Sequence, residues 1–244
     1  MVFTIHFEQA VYGSFRFWDR GYSVLARSEG CRDEWLAALK LAARRFGEPP
    51  PGAGAHACLF ASRIARGPWM IAGVFPQGCD DKGRPGALAF HALFVGTWAY
   101  RMAGASPFPF RPALRGDWAS GDIDGRLPGG SLRLDWRDRA CTAAGGPDDD
   151  LPRRAAEALG RGRRVLLESS EPIDELARRV WARLPGRVRR RASVATWAYG
   201  NENRFDLLGT PRIPGADRDG RALILEQADR GPQPGSTADL DSPA

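Results

Sequence analysis

Residues 57–95 read ACLFASRIARGPWMIAGVFPQGCDDKGRPGALAFHALFV, and three short apolar runs stand out in them, at 57–64, 69–75 and 88–95. Each has the length of a strand rather than a helix. Arg66-Gly67-Pro68 separates the first two as a turn would, so they read as a β-hairpin in a sheet with one or both faces covered, and the third run joins that sheet. Residues 77–86 are dense in Gly, Asp and Pro, types that tolerate positive φ or bond their own backbone, so they are expected to form a surface loop. That loop is the one whose composition most suggests function.

Towards the N-terminus, Phe3, Ile5 and Phe7 alternate with polar residues, giving a half-buried strand over 3–11. An exposed loop at 16–20, carrying Trp18 and Arg20, precedes an apolar run at 22–26. Over 32–46, Trp35, Leu36, Leu39, Ala42, Ala43 and Phe46 recur at three and four residues, which predicts an amphipathic helix. Gly47 and the prolines at 49–51 stop it.

Beyond residue 104 periodicity fades until Leu132, Leu134 and Trp136, and Gly145-Gly146-Pro147 marks a break. Three aspartates at 148–150 suit a helix N-terminus. Helix, strand, helix, strand then follow at 151–159, 164–167, 173–184 and 192–199. The expected fold is α+β, a mixed sheet core with several packed helices. It divides into an N-terminal subdomain (1–145) and a second α/β subdomain of the same unit (146–213). Residues 214–244 are expected to be a disordered tail, because apart from 222–225 they hold too few apolar side chains to fold.

The 244 residues are 43% hydrophobic and contain no apolar run of membrane-spanning length, and no signal-like N-terminus precedes the first strand, so a cytoplasmic protein without a membrane partner is expected. A net charge of +6 raises nucleic acid as a partner, yet nearly all of the basic residues are arginines, as in a GC-rich coding bias. The clusters Arg161, Arg163, Arg164 and Arg187, Arg189, Arg190, Arg191 are read as solvated faces, with phosphate or an acidic partner as the alternative. Fingerprints of phosphate-loop NTPases, dinucleotide enzymes, zinc proteases and serine-elbow hydrolases are absent. His56, Cys58, Cys79 and His91 could be drawn as zinc ligands, but structural zinc takes closely spaced pairs, so neither metal nor cofactor is expected.

His91 sits inside an apolar run, where burial would leave a neutral imidazole. A hydrogen-bonded core histidine is the first reading. A general base in a hydrolase or transferase, with Asp80, Asp81 or Tyr12 beside it, is the rival.

Gln9-Ala10-Val11-Tyr12-Gly13, followed by residues 20–30 (RGYSVLARSEG), resembles the opening of the N-terminal domain of bacterial GTPase-associated proteins. Gly83-Arg84-Pro85-Gly86 leading to Phe90-His91-Ala92-Leu93 looks like the second block of that family. Ala195-Thr196-Trp197 with Phe205-Asp206-Leu207 looks like its closing block. The resemblance covers about residues 3–209, with an insertion at 14–19. It implies a non-enzymatic adaptor in a multi-protein conflict or signalling system built around a GTPase. Loop composition together with this resemblance gives Trp18, Arg20 and Arg84 in the exposed loops as contact residues for a partner protein, a GTPase or other NTPase.

Overall fold

Every residue from Ala87 to Val95 is buried, so the third apolar run is a strand covered on both faces. The structure, a computed structural model, describes residues 2–16, 20–47, 54–119, 121, 125–135, 150–213 and 222–226. Its strands are β1 Val2–Gly13, β2 Ser23–Ser28, β3 Cys58–Arg63, β4 Trp69–Cys79, β5 Pro85–Val95, β6 Arg126–Leu127, β7 Gly130–Asp135, β8 Arg164–Glu168, β9 Val194–Ala195, β10 Leu207–Thr210 and β11 Ala222–Glu226. The helices are α1 Asp33–Arg44, α2 Thr97–Met102, α3 Asp150–Gly160, α4 Asp174–Arg183 and α5 Gly186–Arg189, with a 3₁₀ helix at Phe108–Ala113.

Among the described residues one mixed sheet runs β11-β8-β10-β9-β3-β4-β5-β1-β2-β6. Strands β3, β4, β5, β1 and β2 are antiparallel neighbours, whereas β11, β8, β10 and β9 are parallel. The short β9 joins the halves, pairing antiparallel with β3 and parallel with β10. The fold is α+β as expected, and a single sheet passes through both of the predicted subdomains. β1 changes partners along its length, since residues 2–7 pair with β7 and residues 8–12 with β5.

Alternation along the strands sorts side chains into two layers. Leu93, Ile71 and Leu59 point towards α3, α4 and the 3₁₀ helix, where Tyr100 stacks on Trp69 at 4.1 Å and the Trp181 indole donates to the Ala105 carbonyl at 3.0 Å. Phe90, Ala92 and Phe94 point the other way, towards Leu36 and Leu39 of α1. There Phe46 meets Phe90 edge-on at 5.6 Å. α1 ends at Arg44, and Phe46 packs from the turn that follows rather than from the helix, because Gly47 (φ 90°) turns the chain away. A Cβ on Gly47 would lie 2.8 Å from the Gly200 amide.

Several boundaries differ from expectation. The predicted loop at 77–86 shrinks to a turn at 80–84, because a bulge around Gly78 absorbs Gln77 and lets β4 run on to Cys79. The strand expected over 192–199 is only Val194–Ala195, since Thr196 turns its carbonyl to the Ile173 amide and its hydroxyl to Leu59. Ala222–Glu226, within the predicted tail, pairs in parallel with β8, so the tail expectation fails there. Residues 227–244, the 145/146 boundary, Trp136, Cys141 and Pro49–Pro51 lie outside the described residues. Among the described residues no helix is long and apolar enough to cross a membrane.

Candidate functional site

His91 lies on β5 opposite Val11 of β1 and Gly73 of β4, 1% exposed. The Arg115 amide donates to its Nδ1 at 2.9 Å, so the ring proton resides on Nε2, which donates to Gln9 Oε1 at 2.9 Å. Trp118 closes the ring edge-on at 4.9 Å, with the Arg115 guanidinium 4.5 Å from the indole centroid. Burial, aided by the nearby Arg115 charge, lowers the His91 pKa from 6.5 to about 4. Both ring nitrogens are engaged by the fold itself.

The four residues weighed for chemistry are not brought together. Tyr12 follows Val11 and therefore points to the opposite face, where it packs on Phe90 and Tyr22 and burial raises its pKa. Asp80 is beyond the end of β4. The six residue steps along β5 from Pro85, opposite Cys79, to His91 span about 20 Å. The Asp80 carboxylate accepts from the Lys82 amide at 3.0 Å and from the Arg84 amide and Nε at 2.8 and 2.6 Å. Burial pushes its pKa up, but these donors outweigh it and hold the carboxyl below the usual range.

Asp81 ties the two nominated loops together. Its Oδ1 accepts from the Ser14 hydroxyl at 2.7 Å and its Oδ2 from the Gly21 amide at 3.0 Å, while its own amide donates to Ser14 Oγ at 3.1 Å. The Ser14 hydroxyl is the main reason the Asp81 pKa is lowered. Gly21, Gly83 and Gly86 adopt the positive φ that such tight turns need. Tyr22, 46% exposed, accepts the Leu88 amide at 3.3 Å through its hydroxyl and so adds a second link.

The charge distribution follows from these bonds. Asp80 and Asp81 spend their oxygens on backbone and neighbouring side chains, whereas Arg16, Arg20, Lys82 and Arg84 face solvent. The Arg84 side chain remains 68% exposed although its Nε is bonded to Asp80. Trp18, the third nominated contact, lies outside the described residues. A recess of about 460 Å³ adjoins this end, floored by Val24, Leu25, Ala26 and Leu36 and rimmed by Arg20, Arg27, Asp33 and Lys40. β2 pairs with β6 only at Arg27 and Ser28, so among the described residues its stretch 23–26 is an open strand edge. Neither the recess nor the open edge was foreseen from sequence.

The four residues that could be drawn as zinc ligands hold no shared site. Among the described residues no three His, Cys, Asp or Glu side chains stand close enough to hold a metal ion. His56 instead meets Trp197 edge-on at 5.2 Å, and the buried Cys58 thiol donates to the Trp197 carbonyl. Comparison with protein families, curated proteins and solved structures finds no match. The polar residues that carry the family resemblance have structural partners here. Gln9 bonds His91 and the Pro128 carbonyl, Thr196 accepts the Leu59 amide at 3.0 Å, and Asp206 accepts from the Ser193 amide and hydroxyl.

Proposed function

We propose that the chain is a non-enzymatic, cytoplasmic binding module that docks a partner protein at the end of the sheet where the β1–β2 loop meets the β4–β5 turn. The observation that carries this reading is the Asp81 tie. It fixes two exposed, arginine-bearing loops to one another, so their cations form one preorganised surface beside the basic-rimmed recess, and preorganisation lowers the ordering cost of association. The edge at 23–26, open among the described residues, suits an extended partner segment that adds a strand, and the cationic surroundings favour an acidic one. Given the resemblance, a GTPase or other NTPase is the first partner to test. His91 supports no second reading, since neither ring nitrogen is available to a substrate in this arrangement.

Affinity purification of the tagged protein from its native cells, with mass spectrometry, tests the proposal. An NTPase recovered with the native chain should fall at least tenfold with Arg20→Ala/Arg84→Ala while thermal unfolding stays within about 2 °C, because exposed arginine anchors act on binding more than on stability. Equal recovery with the double variant would refute the loop surface.

A further inference from the structure

Leu207 of β10 pairs with Val165 of β8 on one side and Val194 of β9 on the other, all in parallel, so the three strands begin at the same end of the sheet. Two segments that are distant in sequence lead into those starts. One brings Arg161, Arg163 and Arg164 to β8, the other brings Arg187, Arg190 and Arg191 to β9. Two strand spacings set the two starts about 10 Å apart. β3 runs antiparallel to β9, with Ala61 opposite Val194, and so delivers Arg63, and Arg66 in the turn beyond, to this same end one spacing further on. The result is a row about 15 Å long. The β4–β5 turn is at the other end of β4 from the β3–β4 turn, so this row and the loop surface occupy opposite ends of the sheet.

Among the described residues little opposes the row's charge. Residues 160–164 and 186–193 contain no Asp or Glu. Asp206, at the start of β10, is the carboxylate between the two segments; its Oδ2 accepts from the Ser193 amide at 2.7 Å and hydroxyl at 2.8 Å, and its single negative charge is outnumbered by the arginines around it. Arg161, Arg187, Arg190 and Arg191 are exposed and, among the described residues, make no ion pair.

We propose that this row binds the phosphate backbone of nucleic acid. The charges are spread along the ends of three strands rather than gathered in a cavity, which fits a linear polyanion better than a single phosphate. Duplex nucleic acid presents one charge per about 1.7 Å of axis, hence about nine over the length of the row. Guanidinium forks match phosphate oxygens in pairs. Neither arginine segment carries an exposed aromatic, and Trp98, 72% exposed beyond the end of β5, lies two strands outside the row. Contacts are therefore to the backbone, and base sequence is not read.

The test is fluorescence anisotropy of a labelled 20-base-pair DNA duplex titrated with the full chain at 50 to 300 mM NaCl. The eight arginines of the row, at about 0.9 each, give a log–log salt slope of about −7. Arg190→Gln/Arg191→Gln should reduce that slope by about 2 and weaken binding at least tenfold at 100 mM NaCl. Arg20→Ala/Arg84→Ala, at the opposite end, should leave it unchanged, which separates this proposal from the loop surface. Circular dichroism confirms that the variants are folded, and Arg161→Gln/Arg187→Gln replaces the first pair if it is not. No binding at 50 mM NaCl, or a slope the arginine variants do not alter, would overturn the proposal. Poly-L-glutamate of equal charge binding as tightly as DNA would also overturn it and assign the row to an acidic protein.

Discussion

His91 makes acid lability a sharp test of the packing around it. In the unfolded chain its imidazole titrates near 6.5, in the native protein near 4. Between those values the unfolded state binds more protons, so stability is complete above about pH 6.5 and declines as pH falls towards the native value. A gap of about 2.5 in pKa, at about 1.4 kcal/mol each, makes this loss about 3 kcal/mol at pH 4. Carboxylates held low, such as Asp80 and Asp81, also weaken the protein in acid and must be subtracted. Urea unfolding of the native chain and of His91→Gln at pH 7.5, 6, 5 and 4.5 does this, because the carboxylates are common to both. The native chain should lose about 2.5 kcal/mol more than the variant between pH 7.5 and 4.5, whatever the variant's stability at neutral pH. Equal losses would refute the reasoning, as would an NMR titration of the His91 ring with a midpoint above 6.

Other expectations follow from single contacts. Thr196→Val leaves the buried Leu59 amide without its acceptor and should cost about 1–3 kcal/mol in urea unfolding; an unchanged midpoint would show that water or a shifted chain satisfies the amide. Gly209→Ala places a Cβ 2.7 Å from the Thr196 carbonyl oxygen and 2.8 Å from Ile173, so a loss of about 1–3 kcal/mol and a lower Tm are expected. Burial, with a smaller contribution from the Asp174 charge, pushes the Cys58 thiol well above its ordinary pKa. It should therefore escape thiol reagents at pH 8 until the protein is denatured, as read by peptide mass spectrometry, and rapid native labelling would mean that β3 opens.

What could be read from sequence was what depends on neighbours along the chain. The stripe of α1, the Arg66-Gly67-Pro68 hairpin and the preference for a hydrogen-bonded core His91 all rest on local pattern. The parallel strands were harder to delimit, since β9 and β10 are two and four residues long, buried throughout, and show no alternation. Gly78 misled for a related reason, because a glycine in a bulge and a glycine in a loop look alike in one dimension. The candidate site was half visible. Composition picked out both exposed loops, but nothing local in a serine at 14 and an aspartate at 81 announces that they bond across 67 residues. The partners of His91 were equally hidden, one of them being a main-chain amide.

The order of the strands in the sheet also differs from their order of synthesis. β8 and β9 are both made before β10, yet β10 lies between them. A nascent chain that has emerged only to Ala195 therefore holds two buried-type strands with an empty slot between them, about 10 Å wide. That slot closes only when residues 207–210 clear the ribosome. Until then the antiparallel half can stand assembled while the parallel half waits with unpaired strand edges, and it is in that interval that the growing chain is most exposed to aggregation and to chaperone capture.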